Sequence, residues 1–196
     1  MIRSSRLEKN KSQVYAQEYD FALIVDGVGE LNREVEDSLF NGGCDDATLS
    51  IQYGYLYMQF SRSADSYKDA IISAIKDVQR SGISARVVRV DECNLVTASE
   101  IARRIERSRQ LIHQYITAER GPGGFPPPYC HLAESSPLWQ WCAVSFWLVN
   151  ANLLRKEEAL EAEVVMAINE VLDGSPQPPR EELVAEITRE LQGLGL

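Results

Sequence analysis

An α+β fold is what this 196-residue chain predicts, and three observations carry it. Strand-like and helix-like apolar periodicities alternate over residues 19–92. Two short helices around a tight turn follow at 97–118, and apolar residues at helical spacing return after residue 151.

Tyr19 to Val25 reads as a strand, and Leu31, Val35 and Leu39 mark one face of a helix. Asn41-Gly42-Gly43 closes that helix, because glycine accepts the left-handed backbone of a helix stop. Ala47 to Gln52 alternates apolar and polar residues, and Gly54 separates it from a strand at Tyr55 to Phe60. Tyr67, Ala70, Ile71, Ala74, Ile75 and Val78 recur at three and four residues, with Lys68, Asp69, Lys76 and Asp77 outside. Gly82 ends this second helix, and Ile83 to Val90 is a fourth strand. The order βαββαβ is that of a ferredoxin-like sandwich, with both helices on one face of an antiparallel sheet.

Period-two geometry sends Tyr55 and Tyr57 to the face without helices, beside Ala22 and Ile24. That face is expected to be apolar and aromatic, a seam for self-association or for the rest of the chain. Gly54-Tyr55-Leu56-Tyr57-Met58-Gln59-Phe60 also resembles the RNP1 signature of RNA-recognition motifs, which implies base stacking as an alternative use of the face. Tyr53 stands where that signature has a basic residue, and residues 19–96 carry a net charge of −6.

The second part begins with Thr97 and Glu100 at capping-box spacing. Ile101 and Ile105 form its stripe, and Ala102 is small where a second helix crosses closely. Ser108 is the next N-cap, opening a recognition helix from Ser108 to Ala118 buried through Leu111, Ile112 and Tyr115. Glu106 occupies the turn position that favours left-handed backbone, at a cost of roughly 1 kcal/mol relative to glycine. Arg109, Gln110, His113 and Gln114 fall on the outer face as candidates for base edges. Arg103, Arg104, Arg107, Ser108, Thr117 and Arg120 are the phosphate candidates.

Gly121-Pro122-Gly123-Gly124-Phe125-Pro126-Pro127-Pro128 has neither helix nor interior-strand chemistry and reads as a bent, extended wing or connector. Leu138, Trp139, Trp141, Val144, Phe146, Trp147 and Leu148 then supply a cluster able to cap a small helical core. Residues 95–149 resemble the MerR-like helix-turn-helix domains of the AlpA and excisionase type. Those end in a proline-containing wing, a tryptophan and a V-x-x-W-L helix, matched here by Val144, Trp147 and Leu148. The Gly-Pro-Gly-Gly-Phe-Pro run with the tryptophan pair is similar to bacterial proteins in which such a domain follows an α/β domain. The resemblance implies sequence-specific binding of double-stranded DNA.

The net charge is −9, yet residues 97–150 carry +1. A locally basic module on an acidic chain implies weak affinity for random DNA. No apolar run approaches a membrane span, and residues 1–18 are polar with no secretory h-region, so they read as a flexible arm. Cys44, Cys93, Cys130 and Cys142 have no paired spacing and are expected as reduced thiols of a cytoplasmic protein. Asp26 and Asp45-Asp46 read as solvated turn carboxylates, and Cys93, Cys130, His131 and Cys142 lack C-x-x-C spacing. Neither histidine lies near a plausible nucleophile. No enzyme activity, metal or cofactor is expected.

The organisation that follows is an arm at 1–18, a ferredoxin-like domain at 19–92, a helix-turn-helix domain at 95–150 and an acidic helical tail at 151–196 with a linker at 173–180. Leu153, Leu154, Leu160, Val164, Val165, Ile168 and Val171 recur at helical spacing, either in one helix from Val144 to Val171 or in two separated near Asn150 to Asn152. Glu181 to Leu191 reads as a further amphipathic helix. With no domain of its own to lie on, the tail is expected to offer Leu160, Val164 and Ile168 to a second copy or a partner protein, as Tyr55 and Tyr57 do on the sheet. A cut after Asn150 is then expected to leave both domains folded. The function expected is a dimeric DNA-binding transcriptional regulator. The alternative is an antitoxin-like or adaptor protein whose helix-turn-helix only autoregulates or is vestigial.

Overall fold

The computed structural model describes residues 17–92, 94–133, 136–174, 184, 185, 187–189 and 192. β1 (Gln17–Asp26), α1 (Arg33–Gly42), β2 (Ala47–Gln52), β3 (Tyr55–Ala64), α2 (Tyr67–Arg80) and β4 (Arg86–Val90) form the first half. The strands make one antiparallel sheet in the order β2-β3-β1-β4. In its centre Phe21 pairs with Phe60, Leu23 with Met58 and Val25 with Leu56, all buried in a core shared with Leu39, Ile71, Ala74 and Val78 of the two helices. Asn32 and Ser66 cap α1 and α2 by accepting from Val35 N and Asp69 N, and Gly43 ends α1 at φ 103°.

β3 continues four residues past Phe60, and its alternation brings Arg62 to the core side, only 7 % exposed. All five guanidinium N–H groups find acceptors. Nε and Nη2 donate to the two Asp46 oxygens at 2.7 and 2.8 Å, Nη1 to Asp77 at 2.7 Å and Ser73 at 3.1 Å, and Nη2 also to the Gly43 carbonyl at 2.8 Å. Asp46 is therefore half of a largely buried ion pair rather than a solvated turn residue. Asp77, expected outside, is buried for the same reason. A buried guanidinium is tolerable only when its charge and every donor are matched.

The helix-free face of the sheet departs from expectation. Tyr55 is exposed, but Tyr57 is half-buried and its hydroxyl donates to Gln59 Oε1 at 3.4 Å. Ser61 Oγ lies 2.8 Å from Asp20 Oδ1 and 3.0 Å from Glu18 Oε1 on neighbouring β1, its one proton shared between the two carboxylates. The face is thus polar around Ser61, while Tyr57 lies between Ile24 and Ser50 of the neighbouring strands.

The second half comprises β5 (Leu95–Val96), α3 (Ala98–Arg104), α4 (Arg109–Ile116), β6 (Trp139–Gln140), α5 (Trp141–Asn150) and α6 (Lys156–Asp173). α5 and α6 are two helices, the chain turning at Asn152 with φ 56°. The tail is not unpartnered. α6 lies against β4, α2 and α5, burying Val165 and Ile168 in the core of the sheet and Ala162 in the core of the helix-turn-helix. Leu153 and Leu154 pack on that second core with Trp147. Ile168 is thus a core residue and no partner contact, and Val164 is half-buried, whereas Leu160 is 42 % and Val171 77 % exposed. Residues 1–16 of the expected arm, 175–180 of the linker and most of the helix expected at Glu181 to Leu191 lie outside the described residues.

Asn169 locks α6 in place. Only 2 % exposed, it donates through Nδ2 to the Val90 carbonyl at 3.1 Å and accepts at Oδ1 from the Val90 amide at 2.8 Å. Its side-chain amide takes the role of the next strand's peptide at the edge of the sheet. Asn169→Leu keeps the bulk and strands both Val90 groups, which should cost about 2–4 kcal/mol in urea unfolding. A chain ending at Asn150 loses Ala162, Val165, Ile168 and Asn169 together, and should show no cooperative thermal transition. Retained native unfolding of that fragment would mean that the two cores close without α6.

Candidate nucleic-acid interface

Local chemistry sets the α3–α4 pair. Thr97 Oγ1 accepts from Glu100 N at 3.2 Å, and Ser108 Oγ accepts from Leu111 N at 3.2 Å, so both expected caps are made. Glu106 takes the left-handed conformation at φ 52°, and the chain closes as Arg107 N donates to the Ala102 carbonyl at 2.8 Å. Ile101, Ala102, Ile105, Ile112 and Tyr115 then meet Val144, Trp147 and Leu148 in one core.

The proline-rich segment is fixed by indoles. Trp147 Nε1 donates to the Gly123 carbonyl at 2.8 Å and Trp139 Nε1 to the Pro126 carbonyl at 3.1 Å. Phe125 sits edge-on between the two rings, with centroids at 4.9 Å from Trp147 and 6.4 Å from Trp139. Gly121 has φ 88°, and a Cβ there would come within 3.0 Å of the Tyr115 ring, so glycine is needed twice over. Beyond it, Tyr129 N donates to the Leu138 carbonyl at 2.7 Å, and Cys130 and Leu138 form an antiparallel bridge. Leu95 and Val96 pair with Gln140 and Trp139 on the other side of the returning strand. A β-hairpin therefore stands beside α4.

A groove of about 720 Å³ lies between them, lined by Thr97 and Ser99 from the start of α3, Arg109, Gln110 and His113 from α4, and Pro128 from the hairpin. Among the described residues its lining includes no carboxylate. Arg109, Gln110 and His113 are exposed as expected, while Gln114 is half-buried and turns partly away from that face.

The phosphate candidates divide sharply. Arg107 and Arg120 are exposed, Arg107 donating to its neighbour's carbonyl at 3.2 Å. Ser108 Oγ accepts in the cap and keeps its own proton, whereas Thr117 donates its hydroxyl proton to the His113 carbonyl at 3.0 Å and has none left for an anion. Arg103 grips Glu100 with bonds of 2.9 and 2.6 Å. Arg104 is half-buried, bonds Glu100 at 3.1 Å and stacks over the Trp141 ring at 4.7 Å. Arg104 is a packing residue, correcting its expected phosphate role, and Thr117 serves the helix itself. The sequence signal for this was Glu100, at three and four residues before the two arginines.

No protein-family model, curated protein or solved structure matches this chain. Among the described residues no group of three His, Cys, Asp or Glu could hold a metal ion, and no helix is long and apolar enough to cross a membrane. Cys44 is buried in the first core, its thiol pushed up to about 11 by burial and then by the charge of Asp77.

Hydrogen bonds from Arg103 and then Arg104 hold the Glu100 carboxyl at about 2, below its ordinary 4.5. A depressed carboxyl contributes stability that is full above the ordinary value and is lost as pH falls toward the folded one. The thermal midpoint should accordingly fall as pH drops from 4.5 to about 2, and Glu100→Gln should remove that part of the acid dependence. An unchanged acid limb in the variant would mean that solvent screens the cluster completely.

Proposed function

We propose that this chain is a sequence-specific DNA-binding protein, a transcriptional regulator that lays α4 in the major groove of double-stranded DNA. The observation that carries the reading is a helix anchored in a core on one side and exposing Arg109, Gln110 and His113 on the other, next to a hairpin and a groove lined by donors. Arg109 has the fork to engage guanine O6 and N7, and Gln110 the amide to engage adenine. The order β5, α3, α4, hairpin, with β5 paired to the returning strand, supports a winged, MerR-like helix-turn-helix. The sheet order β2-β3-β1-β4 supports a ferredoxin-like first domain. A polar sheet face bearing Glu18 and Asp20 favours DNA at α4 over RNA at Tyr55 and Tyr57.

One observation favours the second reading, an antitoxin-like or adaptor protein with weak DNA binding. Residues 121–138 contain no lysine or arginine, so the wing brings no cation to a phosphate. Arg107 and Arg120 are the phosphate candidates of this face that Glu100 does not hold, and two phosphate contacts imply a salt slope of about −1.8 per protomer.

Selection from randomised duplexes tests the proposal. Arg109→Ala or Gln110→Ala should weaken binding to the selected site by about 1–3 kcal/mol and relax its specificity. Arg120→Ala should weaken binding to all duplexes and reduce the salt slope by about 0.9. Glu100→Gln removes a charge and frees Arg103, so it should tighten binding to every duplex. If selection at low salt enriches no sequence, the regulator reading falls and the adaptor reading stands.

A further inference from the structure

α6 is apolar on two sides. Its inner side is buried, but Leu160, Val164, Ala167 and Val171 recur at intervals of four, three and four residues along the other, with Leu160, Ala167 and Val171 exposed and Val164 half-buried. This is the spacing of a helix–helix seam, with a small residue where a partner approaches closely. Neighbouring α2 widens it. Ser73 and Asp77 of α2 face Arg62, so helical geometry puts Lys68, Ile72 and Ile75 on the opposite or outer side, where α6 packs. Ile72 and Ile75 are half-buried, and Lys68 and Lys76 are exposed around them.

We infer that the α2–α6 face is the interface with a second copy of this chain. Charge selects that occupant. The α2 border of the strip carries Lys68 and Lys76, with Asp69 turned to its own cap at Ser66, and the far border of α6 carries exposed Glu163 and Glu170. A two-fold axis running along the strip exchanges its two borders and sets the lysines of one copy against the glutamates of the other. An axis across the strip would oppose like charges, so the complementarity fixes the symmetry as well as the partner. α6 is about 27 Å long at 1.5 Å per residue. With two helices of about 10 Å each, the footprint is at the small end of specific interfaces, so the dimer forms in a concentration-dependent way. The inference is independent of DNA binding, though two recognition helices would suit a palindromic site.

Sedimentation equilibrium of the full chain without DNA tests it. The expected result is a mass rising from monomer to dimer with concentration. Leu160→Glu with Val171→Glu, both at exposed positions, should abolish the rise while the far-ultraviolet spectrum is unchanged. Lys68→Glu with Lys76→Glu should weaken self-association roughly tenfold, and adding Glu163→Lys with Glu170→Lys should restore it. A monomer at every concentration overturns the inference, as does a dimer indifferent to the apolar pair or a charge reversal that the second reversal fails to rescue. Neither result touches the DNA reading, which duplex selection decides separately.

Discussion

The amide of Asn169 on the backbone of Val90 is the constraint from which the arrangement of this molecule follows. β4 is the edge of its sheet, and an edge strand leaves backbone groups that must find water or a partner. Here the partner is a side chain 79 residues away in sequence, on a helix that belongs equally to the other core. Once both Val90 groups are matched, α6 can neither slide nor rotate without stranding them in a buried place. Ala162, about two turns earlier, then falls against α5, and the small side chain lets the helices close. The helix-turn-helix is therefore mounted on the sheet through a packed element and not hung from it by a linker. Both cores also await the last long helix of the chain, a non-local closure that comes late in folding.

Charge is handled oppositely in the two halves. In the first, Arg62 is saturated, and the cost of burying it is offset only because Asp46, Asp77, Ser73 and Gly43 converge on one guanidinium. It ties the corner after α1 to β3 and α2. In the second half Glu100 holds the exposed Arg103 and the half-buried Arg104, which leaves the α3–α4 pair less positive than its composition suggests. What decides whether an arginine can serve a phosphate is the carboxylate one helical turn away, more than its exposure.

These contrasts explain what was legible in the sequence. Thr97, Ser108 and Glu106 could be read because caps and left-handed turns depend on residues within four positions. The order of strands and helices followed from periodicity, as did the burial of Val144, Trp147 and Leu148. Arg62 was invisible because its acceptors lie on two separate segments, the corner after α1 and the helix α2. The same is true of Ile168 and Asn169. Helical spacing says that a face is apolar but not which surface covers it, and α6 has two such faces. Alternation put Tyr57 on the helix-free side of the sheet, but the carboxylates of Glu18 and Asp20 gathered at Ser61 on that side follow from strand register, which alternation does not give.

The proline-rich segment shows how α4 depends on a residue remote from it. Trp147 on α5 holds Gly123 through its indole nitrogen, and its ring lies 5.2 Å from Tyr115, on the buried side of α4. The same ring meets Phe125. One tryptophan therefore sets the spacing between α4 and the segment that leads into the hairpin. Prolines have little conformational entropy left to lose, and each glycine carbonyl that an indole captures removes a further degree of freedom. The groove beside Arg109 and His113 is then rigid before anything enters it. Residues 121–138 carry no lysine or arginine, so this segment gives the groove its shape and position, and the fixed positive charge there comes from Arg109 of α4.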